Sequence, residues 1–367
     1  MKFTVNTQPL KNVLSLGVIK ANISKYYYTS NLIQITANAT TLRLNHVSNG
    51  IKTQMTLHGS GDSQDETTIL VDCSIFKALI DSIESDTVVL EYAEGGLFVI
   101  TDSSKFTLSK MVDAEGMDID APATSYDVSD VHDITPSVWK FIKEHQMFAI
   151  STSNNYLVYR NLWVSENDDV LAGDYSQSLF AYSKHPTLGS TCLLPTSLIN
   201  LFVALPDNSR VAKAGDSYVL QIESDSYTLL TEFTPKYESD EKVGSYNAPV
   251  IMNMLKHPAE SAKVEIAPVL KFLNQSALLT SNSMDKVVIL KSETDALTFT
   301  TRQSEIALPV IDAPEYHVKF NSDLLKSVLS NFDAEEISIA PILREGVAIG
   351  CIFWSDSITM LLAGTTA

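Results

Sequence analysis

Three cysteines in 367 residues are too few and too odd in number for a disulfide framework, and Cys73, Cys192 and Cys351 each lie in an apolar stretch, as buried free thiols do. Long apolar runs are also missing: no stretch approaches the roughly 18 residues of a spanning helix. The chain opens on strand-like MKFTV rather than on a leader pattern, so a cytoplasmic protein with no membrane partner is expected. Catalytic motifs are equally scarce. The seven histidines are scattered, no His-Glu-x-x-His, Cys-x-x-Cys or Gly-x-Ser-x-Gly occurs, and HGSGDSQ around Gly59 and Gly61 lacks the third glycine of a nucleotide loop. The acidic run 127–133 matches no calcium-loop spacing and reads as a solvated loop. No catalytic residue, metal site or cofactor is predicted. Basic charge is short too: 26 Lys and Arg stand against 44 Asp and Glu, a net charge of −18. A uniformly acidic surface would repel phosphate and exclude nucleic acid.

What is present is repetition. A short helical pattern followed by strands with a Ser/Thr-Asp-Ser turn occurs three times. The first copy runs SIFKALIDSI, VVLEY, LFVITDSSKFTL. The second is TSLINLFVAL and YVLQIESDSYTLL, and the third SDLLKSVLSNF, EISIA, VAIGCIFWSDSITMLL. The turn residues Asp102, Asp225 and Asp356 are 123 and 131 residues apart. A weaker repeat precedes each copy: TVNTQPLKNVL, DITPSVWKFI and VEIAPVLKFL place Pro9, Pro136 and Pro268 where a first helical turn favours proline. The spacing predicts an α+β protein of three like units, 1–122, 123–250 and 251–367, each with two helices and about eight strands, divided near 114–126 and 235–263. Tandem like domains build scaffolds and rings more often than single active sites.

The charge is unevenly spread. The six predicted helices carry Lys11, Lys20, Lys77, Lys140, Lys143, Lys271 and Lys326 against Asp81, Glu144 and Asp323, a net +4 that leaves −22 for the rest. Periodicity sets Phe76, Leu79, Ile80 and Ile83 on one face with Lys77 opposite, and Leu325, Val328, Leu329 and Phe332 on one face with Lys326 opposite. Either these are ordinary solvated helix faces, or equivalent helices of three units align into one basic surface.

MKFTVNTQPLKNVL, FTLSKM, LAGDYSQSLFAYS and FNSDLLKSVLSNFDAEEISIA, taken in order along essentially the whole chain, resemble the bacterial sliding clamp, the beta subunit of DNA polymerase III. No single motif is diagnostic; the likeness lies in colinearity and in the threefold repeat. It implies a non-catalytic ring, a head-to-tail homodimer of three-domain chains, with helices lining a hole that encloses duplex DNA. Its partners would be the replicative polymerase and the clamp loader. The DNA-facing set it implies is the seven helix lysines with Lys25; Tyr26, Tyr27 and Tyr28 would either stack on bases or begin a buried strand. The seam it implies joins Phe106 and Leu108 to Leu278 and Leu279, unless these are core residues. The peptide cleft it implies is formed by Tyr159, Leu179, Lys242, Val243, Met360, Leu361 and Leu362. Here the chain departs from the family: 174–178 replaces a basic, glycine-containing turn, and MLLAGTTA replaces a Met-Pro-Met type ending, so Met360, Leu361 and Leu362 could instead complete a core strand. A virion or tail ring of duplicated domains would share the repeat without the basic lumen or the cleft.

Overall fold

The computed structural model describes residues 1–19, 31–48, 50–93, 95–111, 119, 122, 131–151, 157–207, 209–235, 246–280, 286–311 and 313–365. Among them are seven α-helices: α1 (Thr7–Gly17), α2 (Cys73–Ser82), α3 (Pro136–His145), α4 (Thr196–Ala204), α5 (Ala248–Met254), α6 (Ile266–Thr280) and α7 (Ser322–Leu329). Six are the helices expected from the repeats; α5 was not anticipated. Local chemistry sets several starts. The Asp72 carboxylate accepts from the Ile75 amide at 2.9 Å to cap α2, and the Asn321 side chain accepts from the Asp323 and Leu324 amides to cap α7.

Strand, helix and three strands recur in that order six times among the described residues. The first module is Lys2–Asn6, α1, Leu32–Ala37, Thr41–Ser48 and Ile51–His58; the second is Thr67–Asp72, α2, Thr87–Ala93, Gly96–Ile100 and Lys105–Ser109. The third is Val131–Asp133, α3, Asn161–Val164, Asp169–Asp174 and Leu179–Lys184; the fourth is Cys192–Pro195, α4, Arg210–Ala214, Ser217–Glu223 and Tyr227–Phe233. The fifth is Ala262–Glu265, α6, Val287–Glu293, Ala296–Thr300 and Glu305–Pro309; the sixth is Tyr316–Asn321, α7, Glu336–Arg344, Val347–Trp354 and Thr359–Ala363. The two-residue strand Ser60–Gly61 and α5 stand outside the pattern.

Modules pair off by exchanging their leading strands. Phe3 of the first lies opposite Leu90 of the second, while Val71 of the second lies opposite Ile33 of the first. The third and fourth do the same through His132↔Val211 and Trp163↔Leu193, and the fifth and sixth through Val264↔Ile337 and Ile289↔Lys319. All these pairings are antiparallel and long-range.

The chain forms two compact units, Met1–Pro136 with Ser197–Pro235, and Ser137–Thr196 with Lys236–Ala367. In the first unit, Ile51–His58 pairs with Tyr227–Phe233 and fuses two four-stranded sheets into one of eight. In the second, Leu179–Lys184 pairs with Thr359–Ala363 to the same effect. Each junction joins the third strands of two modules. That leaves the third strands of the second and fifth modules, Lys105–Ser109 and Glu305–Pro309, as sheet edges.

Helical periodicity predicts the cores. Leu10, Val13, Leu14 and Gly17 of α1 are buried at i, i+3, i+4, i+7 spacing. At Gly17 a Cβ would stand 2.6 Å from Met55 Sδ, so the helix can lie this close to Ile51–His58 only with glycine there. Phe76, Ile80 and Ile83 are buried on α2 and its cap, as are Leu325, Val328, Leu329 and Phe332 on and after α7. Each such side chain contributes about 1.5–3 kcal/mol. The turns carrying Asp102, Asp225 and Asp356 close alike, with Thr101, Ser224 and Ser355 amides donating to the carbonyls three residues on at 2.8, 3.0 and 3.0 Å. A fourth, Thr301 to Ser304 at 2.8 Å, lacks the Asp-Ser signature. The three cysteines are free and buried. No helix among the described residues is long and apolar enough to cross a membrane.

Candidate functional site

The edge strand Lys105–Ser109 presents Phe106, 41% exposed, whereas Leu108 is 8% exposed and packs into its own unit. Lys105 steadies the strand, reaching Glu91 at 3.1 Å and lying 3.8 Å from the centre of the Phe98 ring. In the second unit Leu278 and Leu279, near the end of α6, are 78% and 57% exposed. At these exposures the two leucines contribute little to the folded chain by burial. Of the four seam candidates, then, Phe106, Leu278 and Leu279 are surface groups and Leu108 is a core residue. Ile75, 58% exposed on α2, was not among them; as the apolar residue outside the Phe76–Ile80–Ile83 face, it stands out in the helical pattern.

The expected basic helix faces are partly neutralised at source. Lys77 pairs with Asp81 at 2.7 Å and Lys140 with Glu144 at 3.9 Å, both one helical turn along. Lys11 donates to the Ile83 carbonyl. Lys143 and Lys271 are exposed and Lys326 half-buried, with no ion pair among the described residues. Lys20 and Lys25, with Tyr26, Tyr27 and Tyr28, lie outside the described residues.

The described cleft candidates, Tyr159, Leu179, Met360, Leu361 and Leu362, fall on one region of the second unit. Leu179 lies opposite Leu362, Phe180 opposite Leu361 and Ala181 opposite Met360 across the strand pair. Met360, Leu361 and Leu362 are 0%, 2% and 1% exposed, and Leu179 3%. All four are buried in this strand pair. Tyr159 and Leu361 share an apolar cluster with Trp163, Phe180, Tyr246 and Ile251. Its rings interlock: Tyr159 meets Tyr246 at 4.8 Å and Phe180 at 6.2 Å, and donates a hydrogen bond to the Tyr246 carbonyl at 3.3 Å. Gly173 permits this, since a Cβ there would lie 2.4 Å from the Phe180 ring. Lys242 and Val243 lie outside the described residues.

The missed part of this region is α5. Ala248 and Ile251 of its inner face belong to the cluster, while Val250 and Met254 are 52% and 38% exposed. Pro249, two residues after Asn247 and at the head of VIMNM, was the available signal. Tyr175 was missed as well; 53% exposed, it stacks on Tyr159 at 5.6 Å and 19°.

Burial sets the state of the thiols. Burial pushes the Cys73 and Cys192 thiols up to about 12 and raises Cys351, so all three are neutral thiols at pH 7. Burial, with Asp169 beside it, raises Tyr182 to about 12. Among the described residues no group of three or more His, Cys, Asp or Glu is placed to hold a metal ion.

Comparison with solved structures places the architecture. The chain matches a putative DNA polymerase III beta subunit from Eubacterium rectale with a TM-score of 0.76 at 14% identity, covering 100% of both chains. It matches the Helicobacter pylori beta clamp bound to a DNA ligase peptide with a TM-score of 0.70 at 15% identity, and that clamp in complex with 3,4-difluorobenzamide with 0.73 at 16%, again over 100% of each chain. The fold is that of the bacterial beta clamp. No protein-family model matches the chain, and no curated protein matches it in sequence. The shared architecture is therefore carried by the pattern of elements and not by residue identity.

Proposed function

We propose that the chain is a sliding clamp, a non-catalytic processivity factor that holds a replicative DNA polymerase on duplex DNA. Its modules form three domains, 1–122, 123–250 and 251–367, and two chains join head to tail into a six-domain ring in the cytoplasm. The observation that carries this reading is the pair of unmatched edges. Two junctions within the chain join third strands of modules, and Lys105–Ser109 and Glu305–Pro309 are the third strands left over. An edge strand with apolar neighbours is a liability unless it is covered. Pairing Lys105–Ser109 of one copy with Glu305–Pro309 of another repeats the internal junction, and doing so twice closes a dimer. Phe106 and Ile75 would then meet Leu278 and Leu279 of the second copy.

A closed ring on DNA cannot leave sideways, so its phosphate contacts can be few and exchangeable, which suits a protein of net charge −18. The DNA-facing residues are Lys11, Lys20, Lys25, Lys77, Lys140, Lys143, Lys271 and Lys326. Polymerase and clamp loader dock through short peptides at the aromatic cluster around Tyr159 and Tyr246, with Leu179, Lys242, Val243 and Met360–Leu362 supporting it and Val250 and Met254 of α5 at its margin. A ligase peptide and a small aromatic amide, each in complex with the H. pylori clamp, are the probes this suggests. Light scattering should give a dimer of twice 40.3 kDa. Protein loaded on nicked circular DNA should stay bound at high salt and be shed when the circle is linearised. A monomer at micromolar concentration, or equal retention on linear and circular DNA, would overturn the reading.

A further inference from the structure

In an antiparallel pair, alternate residues turn their amide and carbonyl toward the neighbouring strand and the rest turn them away, so the bonds made on one side of an edge strand fix what its other side offers. Around Lys105–Ser109, the Thr101 amide donates to the Ser104 carbonyl at 2.8 Å and the Lys110 amide to the Gly95 carbonyl at 3.4 Å. Ser104, Phe106, Leu108 and Lys110 therefore bond inward, and Lys105, Thr107 and Ser109 turn their backbone groups to the open edge. Around Glu305–Pro309, the Thr301 amide donates to the Ser304 carbonyl at 2.8 Å and the Val310 amide to the Asp295 carbonyl at 3.1 Å. Glu305, Ala307 and Pro309 thus face the open edge of that strand. Pro309 has no N–H, so it offers a carbonyl alone.

Side chains alternate in the same phase as the bonds. Phe106 and Leu108 share one face of their strand, and the half-buried Ile306 and Leu308 share one face of theirs. The edge-facing residues Lys105, Thr107, Ser109, Glu305, Ala307 and Pro309 are all exposed. A slip of one residue would oppose apolar to exposed side chains and bonding groups to none. A slip of two keeps the phase and shortens the ladder. In one direction only Lys105 with Ala307 and Thr107 with Glu305 can bond. In the other, Thr107 meets Pro309, and Glu305 meets Met111, whose amide is already given to the Leu70 carbonyl at 2.8 Å.

We propose that a second copy of this chain docks in a single register, with Thr107 opposite Ala307, Ser109 opposite Glu305 and Lys105 opposite Pro309, and that Pro309 limits the strength of the seam. In this register both strands pair along their whole length, Phe106 meets Leu308 and Leu108 meets Ile306. The ladder is complete but for the Lys105 carbonyl, which finds no donor in Pro309. Neither joint within the chain, Ile51–His58 with Tyr227–Phe233 or Leu179–Lys184 with Thr359–Ala363, has a proline in its ladder. The seam between copies is thus the joint with a bond left out, once at each of the two seams of a ring. This rests on the head-to-tail dimer proposed above and adds to it the register and the residue that sets its strength.

The test uses the full-length protein, whose own cysteines are buried. Thr107→Cys with Ala307→Cys replaces two exposed side chains and should cross-link copies under mild oxidation, since directly opposed residues stand about 5.5 Å apart at Cα, within disulfide reach. Thr107→Cys with Glu305→Cys, the register slipped by two, should cross-link at least about tenfold more slowly on a non-reducing gel. Pro309→Ala supplies the missing donor at both seams and should tighten the dimer by about five- to a hundredfold in a dilution series followed by light scattering. Faster cross-linking of the slipped pair, or a Pro309→Ala dimer no tighter than native, would overturn the register or the role of Pro309 while a dimer still forms and the clamp reading stands. A native chain that stays monomeric throughout the series would overturn both.

Discussion

Ser276 and Ser304 share a hydrogen bond of 2.8 Å between their hydroxyls, which ties α6 to the turn leading into the edge strand Glu305–Pro309. Leu278 and Leu279 follow within one helical turn, so two exposed leucines and an open strand edge are presented together by one rigid corner of the unit. Strand edge and apolar knob are the two components a stable chain-to-chain junction needs.

If two chains join as proposed, Leu279→Asp should convert the dimer to monomer, weakening association by at least about a hundredfold, within the range found for central interface anchors. Because Leu279 is 57% exposed, the melting temperature of the separated chain should change little. Ile75→Asp should act in the same direction on the opposite surface. Light scattering across a dilution series decides, and a Leu279→Asp protein that stays dimeric would refute the seam.

Leu362 calls for the opposite expectation. At 1% exposure and paired with Leu179, it is a core side chain, and Leu362→Ala should cost about 2–5 kcal/mol in urea unfolding. Val250→Ala and Met254→Ala, on the exposed face of α5, should stay within about 0.5 kcal/mol of native stability. These two, and not Leu362, are the positions at which loss of peptide affinity can be read separately from loss of folding.

The sequence disclosed what is local. Asp102, Asp225 and Asp356 marked equivalent turns because hairpin closure depends on neighbouring residues, and Pro9, Pro136 and Pro268 marked helix starts for the same reason. The exchange of leading strands was hidden, since nothing in Lys2–Asn6 states that its partner is Thr87–Ala93. The terminal run Met360–Leu362 was ambiguous in principle: apolar alternation reads alike for a strand lining a cleft and one closing a core. Two signals were present and passed over. Lys77 with Asp81 and Lys140 with Glu144 stand at ion-pair spacing, which a net charge count conceals. Helix α5 escaped because it is seven residues long, too short for its periodicity to register.

Stability should fall on mild acidification. Burial lowers the pKa of His46, His185 and His257 below 6.5, and for His46 the Leu32 and Ile19 carbonyls offset this only in part. A histidine held neutral in the folded chain takes up its proton in the unfolded chain first. As pH drops below 6.5 the unfolded state binds more protons, so folding weakens until the folded-state pKa is reached and then levels off. Melting temperatures measured from pH 7.5 to 5.5 should decline. His46→Gln, at a 2% exposed site, should flatten that slope even if it lowers stability throughout.

The lysines should not contribute equally to holding DNA. Lys143 and Lys271 are exposed and carry no ion pair among the described residues, whereas the charges of Lys77 and Lys140 are already met by Asp81 and Glu144. A paired lysine must give up its partner, or share it, before it can displace a counterion from phosphate. Reversing Lys143 or Lys271 to Glu should therefore weaken encounter with duplex DNA more than the same change at Lys77 or Lys140. Each effective lysine lost should reduce the salt slope of binding by about one unit. None of the four changes should alter melting by more than a few degrees, since all sit on the polar side of their helices. Fluorescence anisotropy with a short duplex across a salt series, beside retention on nicked circles, measures both quantities. Equal losses at all four positions would mean that the helix ion pairs are too weak at working salt to matter. Loss of binding at none of them would place the DNA-facing surface elsewhere.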